Sequence, residues 1–127
     1  MATILLVDDD PLQAFLMISL LGRQPAEVRR VNDAAEALCL IEQPDFASKL
    51  GLVISGHHTL GIGGPAFVAE LRTRMPAVPV LVLNTTTDEA SANYSGERVF
   101  FLPRRLVAER VVDMTTELLG HAKNQVA

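Results

Sequence analysis

The sequence has almost no means of covalent cross-linking: one cysteine, Cys39, stands among 127 residues. A single thiol cannot form an internal disulfide, which excludes a disulfide-framed fold. Set in an apolar helical pattern, Cys39 is expected to be a small core hydrophobe rather than a nucleophile. Long apolar runs are missing too. Stretches such as Ile4 to Val7 and Val80 to Leu83 are far too short to span a bilayer, and the first residues lack the cationic and apolar regions of a signal peptide. The expected location is the cytoplasm, with no membrane partner. Positive charge is scarce and scattered: 11 Lys and Arg face 15 Asp and Glu, for a net charge of −4. Its short pairs are Arg29-Arg30 and Arg104-Arg105. No stripe of basic residues could track a phosphate backbone, so no nucleic-acid partner is expected. Repeats, low-complexity segments and linkers are also lacking, which leaves one domain over residues 1–122 and a short tail at 123–127.

What is present is an ordinary globular composition, 49% hydrophobic and 20% charged. Read along the chain, apolar runs alternate with helical periodicity. The run ending at Val7 suits a strand buried on both faces and stops at three aspartates. Asp10 then offers an N-cap with Pro11 at the first helical position, and Leu12, Phe15, Leu16 and Ser19 fall on one face of a helix ending near Gly22. Val28 to Val31 reads as a second strand. Asp33 with Glu36 three residues later makes a capping-box start for a helix over Ala34 to Gln43.

Leu52 to Ser55 repeats the buried-strand signature and runs into a glycine-rich stretch, Gly56 to Gly64. Pro65 opens a helix with apolar positions Phe67, Val68, Leu71 and Met75, and Pro76 and Pro79 break it before the strand Val80 to Leu83. The polar segment after Asn84 has room for a short helix from Asp88 to about Tyr94. Val99 to Leu102 is a fifth strand. Val107, Val111, Met114 and Leu118 line one face of a long final helix. Five strands alternating with five helices predict an α/β fold: a flavodoxin-like (βα)5 doubly wound parallel sheet with strand order 2-1-3-4-5. In that order chemistry belongs at the carboxyl ends of the first and third strands, where Asp8, Asp9 and Gly56 lie.

The residues ILLVDDDP at positions 4–11 resemble the first strand and acidic turn of two-component response regulator receiver domains, and the resemblance extends over essentially the whole chain. It implies that Asp8 and Asp9 correspond to the carboxylates that help such domains hold Mg²⁺. It also places Gly56 at the phosphate-accepting aspartate, Asn84 at the hydroxyl residue ending strand four, and Arg104 and Arg105 at the lysine and proline after strand five. Three working positions at the ends of three strands are thus altered together. An acyl phosphate requires a carboxylate nucleophile and a cation to neutralise the phosphoryl oxygens. Glycine supplies neither that nucleophile nor an oxygen ligand, so no cofactor beyond weak Mg²⁺ at Asp8 and Asp9 is expected. The implied protein is an atypical receiver, a pseudo-receiver that is not an enzyme. Its implied partner is a signalling protein or histidine kinase in a phosphorelay, with a homodimer possible through the face of helix four, strand five and the last helix. Arg104 is expected to pair with Asp8 or Asp9 and to favour their ionised forms.

Other readings compete. Asp8 to Asp10 also fit a solvated cap-forming turn. Adjacent His57 and His58 point in different directions and have no further His or Cys nearby in the sequence, which disfavours a transition-metal site. Gly61 is followed by Ile62 and Gly63 rather than by Lys and Ser or Thr, so a P-loop fails; Gly61 to Ala66 fits a dinucleotide fingerprint only formally, beginning too far beyond the strand. Phe101 fits either a switching aromatic or a strand aromatic that covers its neighbours. A conventional phosphorylated receiver with another acceptor, and a small-ligand sensor using the crevice, remain the alternatives.

Overall fold

A computed structural model describes residues 2–56, 62–83, 94, 98–103 and 106–126, with side chains described as far as residue 120. Five strands form one sheet: β1 (Ala2–Val7), β2 (Ala26–Val31), β3 (Leu50–Gly56), β4 (Val80–Leu83) and β5 (Val99–Leu102). Every pairing is parallel and the order is β2-β1-β3-β4-β5, as the alternating pattern predicts. The described helices are α1 (Pro11–Leu21), α2 (Ala34–Ile41), α3 (Pro44–Lys49), α4 (Gly64–Arg74) and α5 (Val107–Val126). The last of these continues past residue 122, where the sequence reading places the tail. The short helix expected at 88–94 lies outside the described residues apart from Tyr94.

Alternation along the central strands divides the core into two layers. Leu5, Val7 and Val53 face α2 and α4 and pack with Ala34, Ala37, Phe67, Val68 and Leu71. Ile4, Leu6, Leu52 and Ile54 face the other way, onto Ala14, Met17 and Leu21 of α1 and Val111 and Leu118 of α5. Strands covered on both sides must be apolar throughout, which is why β1, β3 and β4 read as continuous runs. The β2 edge instead alternates, with Glu27 and Arg29 exposed.

The helix starts follow the capping chemistry read from the sequence. Asp10 Oδ1 accepts hydrogen bonds from the backbone N–H of Leu12 and Gln13, at 3.0 and 3.4 Å. Asp33 Oδ1 accepts from Glu36 N at 2.8 Å, and the Glu36 carboxylate reaches back to accept from Asn32 N at 3.3 Å, one residue before the cap itself.

Three expectations are corrected. The α1 stripe faces outward: Leu12, Phe15 and Leu16 are 68%, 66% and 53% exposed and Ser19 is exposed, while Ala14, Met17 and Leu21 are buried. Pro11–Leu21 carries no charge, so periodicity offers two apolar faces; the one with small Ala14 lets the helix approach the sheet closely. Cys39 is exposed rather than in the core, because α2 buries Ala34, Ala37 and Ile41 and residue 39 lies off that face. The second helix ends at Ile41, not Gln43, and Pro44 starts the separate helix α3, whose half-buried Phe46 packs against the core. Strand boundaries also move outward, β2 beginning at Ala26 and β3 at Leu50.

One glycine is dictated by close approach. Thr3 pairs with Leu50 and Ile4 with Leu52, so Gly51 is an extra residue in β3, a bulge in the β1–β3 ladder. A Cβ there would lie 3.1 Å from Ala2 Cβ and 3.3 Å from Leu119 Cδ2. Gly51→Val is therefore expected to destabilise by about 1–3 kcal/mol through overpacking between β3 and α5, measured by urea unfolding. A change below about 0.5 kcal/mol would mean that Ala2 and Leu119 yield without strain.

Candidate functional site at the ends of strands one and three

The carboxyl ends of β1 and β3 meet at the point where the chain reverses its direction of winding. Val7 pairs with Ser55, and Gly56, the next residue, pairs with Leu83 of β4. Asp8 continues β1 by one more ladder bond, its N–H donating to Val31 O at 3.0 Å. The acidic turn and Gly56 thus sit on adjacent strand ends, as predicted.

Within the turn each aspartate has a different environment. Asp10 is committed to the α1 cap. Asp8 is half-buried, and its Oδ1 accepts from Asp10 N at 3.0 Å, which folds the turn back on itself. Asp9 is exposed. The cap-forming and pocket readings of the triplet are therefore not exclusive: one carboxylate serves the helix and two remain at the strand end.

Burial pushes the Asp8 carboxyl above its ordinary value. The backbone N–H of Asp10 opposes that rise, the charges of Asp10 and Asp9 add to it, and the Arg30 guanidinium lowers it. Arg30 projects from β2, and its Nε donates to the Asp8 carbonyl oxygen at 3.1 Å. It is the basic side chain that the sequence reading overlooked; a strand-edge arginine gives no signal until β2 is placed beside β1. Arg104 and Asn84 lie outside the described residues, and the expected rise in ionised character at Asp8 is not what burial produces.

A raised carboxyl pKa has a definite consequence for stability. The folded state holds the Asp8 proton more tightly than the unfolded chain, so this contribution is fully present below the ordinary value of 3.8 and is lost as pH rises through the folded pKa. At neutral pH the ionised carboxylate is a cost. Asp8→Asn is expected to be more stable than the wild type at neutral pH, and the gain should shrink as the pH falls through the folded pKa. Parallel denaturant titrations of the two proteins check this, and a gain that persists unchanged to low pH contradicts it.

The residues present do not match a full Mg²⁺ ligand set. Asp8 and Asp9 provide two carboxylates with hard oxygens, Asp8 already accepts a backbone N–H, and Gly56 provides no side-chain oxygen. Among the described residues no group of three His, Cys, Asp or Glu is placed to hold a metal ion. His57 and His58 lie outside them.

Ser55, the hydroxyl residue immediately before Gly56, is 1% exposed, and among the described residues its Oγ has no hydrogen-bond partner. Phe101 on β5 pairs with Val82 and packs edge-on against Tyr94, with ring centroids 5.2 Å apart and planes at 66°. Both readings of Phe101 made from sequence are compatible with this half-buried position. The sequence carries no sign of the Tyr94 contact, since the expected short helix merely ends at residue 94.

No protein-family model matches the sequence, and no curated protein matches it. Solved structures do. The signal receiver domain of an HD domain-containing protein from Pseudomonas fluorescens Pf-5 superposes with a TM-score of 0.80 at 22% identity, over 98% of this chain and 90% of that one. A response regulator receiver protein from Sinorhizobium medicae gives a TM-score of 0.81 at 18% identity, over 95% and 96%. The receiver domain of a sensor histidine kinase from Pseudomonas aeruginosa, whose structure has a magnesium ion coordinated in its active-site cleft, gives 0.77 at 18%, over 94% and 98%. Together with the parallel 2-1-3-4-5 sheet, these likenesses establish that the chain has the flavodoxin-like fold of response regulator receiver domains.

Proposed function

We propose that this chain is a receiver-type signalling module that works through protein contacts and does not accept phosphate. The observation that carries the reading is Gly56, a residue without a side chain at the carboxyl end of β3, beside the acidic turn. Aspartyl phosphorylation begins with attack of a carboxylate oxygen on phosphorus, and glycine has none. The nearest hydroxyl in sequence, Ser55, is sealed in the core. On this reading the protein is not an enzyme, needs no cofactor, and operates in the cytoplasm with a histidine kinase or another signalling protein as partner. No described helix is long and apolar enough to cross a membrane. Output through β5 and the neighbouring part of α5 is consistent with half-buried Phe101 and exposed Glu109.

Incubation with acetyl phosphate or beryllofluoride in the presence of Mg²⁺ tests the reading. Intact mass and amide spectra should not change. A saturable, Mg²⁺-dependent shift centred on Asp8, Asp9 and Gly56, or a phosphoryl adduct on any residue, overturns it in favour of a conventional receiver.

A further inference from the structure

Helix α1 presents to solvent an apolar face that the rest of the fold leaves open. Leu12, Phe15, Leu16 and Leu20 are spaced to form one stripe, with small Ser19 inside it and Ile18 alongside. Their exposures are 68%, 66%, 53% and 37%, and Ile18 is 40% exposed. At roughly 200 Å² for a whole large apolar residue, the open apolar area is about 500 Å², at the upper end of the largest patch on an ordinary monomer. These five residues are among the six exposed large hydrophobics of the described chain, so the apolar surface is concentrated on one helix.

We propose that this face is the interface of a symmetric dimer, in which α1 of one copy lies antiparallel against α1 of a second copy of this chain. Area and charge both favour a second copy as the occupant. Two such faces pressed together remove about 1,000 Å², the lower bound for a specific interface, before any flanking polar surface is counted. The charges at the ends of the helix are self-complementary only in the antiparallel sense. Asp9 precedes the helix and Arg23 follows it, both exposed, while the helix itself, Pro11–Leu21, carries no charged side chain. Leu16 is midway between them in the sequence. With Leu16 near the two-fold axis, Asp9 of each copy comes level with Arg23 of the other, giving two equivalent rim ion pairs that fix the register. Ser19 allows the helices to approach closely where a larger residue would hold them apart. A parallel arrangement would set Asp9 against Asp9 and Arg23 against Arg23. This interface lies on the layer opposite α2 and α4, and it requires no phosphate chemistry, so it stands whether or not the chain is phosphorylated.

Sedimentation and light scattering of the whole chain over a wide concentration range provide the test. The wild type should pass from monomer to dimer as concentration rises. Phe15→Glu, at an exposed position that should not disturb folding, should raise the dissociation constant by roughly thirtyfold or more, with circular dichroism and the unfolding midpoint checking that the fold is kept. Asp9→Arg and Arg23→Glu should each weaken the dimer severalfold, and the double exchange should restore it. A dimer that survives Phe15→Glu, or one broken instead by Glu109→Arg, places the interface elsewhere and overturns the proposal. So does a monomer at every concentration: low binding of an apolar dye would then mean that another part of the chain covers α1, and high binding would assign the face to a different protein.

Discussion

On the proposed reading the wild type should gain no mass from acetyl phosphate, and Gly56→Asp is expected to make it do so, the largest functional change any single substitution in this structure should produce. The register places residue 56 one step past the Val7–Ser55 pair, at the strand end next to the Asp8–Asp9 turn. A carboxylate added there supplies the missing nucleophile: its oxygen attacks phosphorus and acetate leaves. It also adds a third hard-oxygen donor to the two already present, so Mg²⁺ affinity should rise by about tenfold or more. A stability readout accompanies the chemistry. Asp8 is already desolvated and repelled by Asp9 and Asp10, and a further carboxylate without a cation increases that repulsion. The variant should therefore be less stable than wild type in chelator, by about 1 kcal/mol, and should regain that stability when Mg²⁺ is added. If Asn84 and Arg104 correspond to the hydroxyl and lysine positions of receiver domains, as the sequence resemblance implies, phosphorylation stays incomplete, and beryllofluoride is the cleaner probe. A folded variant that neither gains mass nor is stabilised by Mg²⁺ would show that residue 56 does not face the acidic turn.

Much of this arrangement was legible before any coordinates, and the parts that were not share a physical reason. Strands β1, β3 and β4 are sealed on both faces, so their burial is written as unbroken apolar runs. Asp10 before Pro11 and Asp33 before Glu36 are local chemistry, complete within four residues, and both act as read. The site was legible as topology, since strand order alone brings Asp8 and Gly56 together. What escaped depends on partners distant in sequence. The buried side of α1 could not be chosen from a segment that is apolar all round. Cys39 has apolar neighbours in sequence, but its angle on α2 takes it off the buried face of Ala34, Ala37 and Ile41. Gly51 is meaningful only once the β1–β3 register leaves it unpaired. Arg30 reaches the acidic turn only across the β1–β2 edge. Arg72 is local only in part: Met75 and Val78 follow it closely in sequence, whereas Arg98 is brought to it by the β4–β5 pairing.

Arg72→Ala is expected to cost about 2–4 kcal/mol. The guanidinium leaves the last turn of α4 and holds three backbone carbonyls: Nη1 donates to Met75 O at 3.1 Å and to Val78 O at 2.6 Å, and Nη2 donates to Arg98 O at 3.1 Å. Those carbonyls belong to the connection between α4 and β4 and to the residue that leads into β5. Pro76 and Pro79 deprive that connection of two N–H donors, so an outside donor has unusual weight there. Arg98 is held at φ 65°, a left-handed conformation that costs a residue with a side chain about 1 kcal/mol or more. The conformation persists because the Arg98 carbonyl is gripped twice, by Arg72 and by Val80 N at 3.0 Å. Burial, together with the like charge of Arg98, pushes the Arg72 pKa down from its ordinary value. Arg72→Lys should recover only part of the loss, since an ammonium lacks the planar fork that spans separate acceptors. Arg98→Gly should be neutral or stabilising by up to about 1 kcal/mol, relieving both the backbone strain and the charge repulsion. Combining Arg72→Ala with Arg98→Gly should cost less than Arg72→Ala alone, because the strained carbonyl no longer needs its clamp. Urea unfolding of the wild type and the four variants at neutral pH measures this, and a loss below about 1 kcal/mol for Arg72→Ala would mean that water replaces the guanidinium at all three carbonyls.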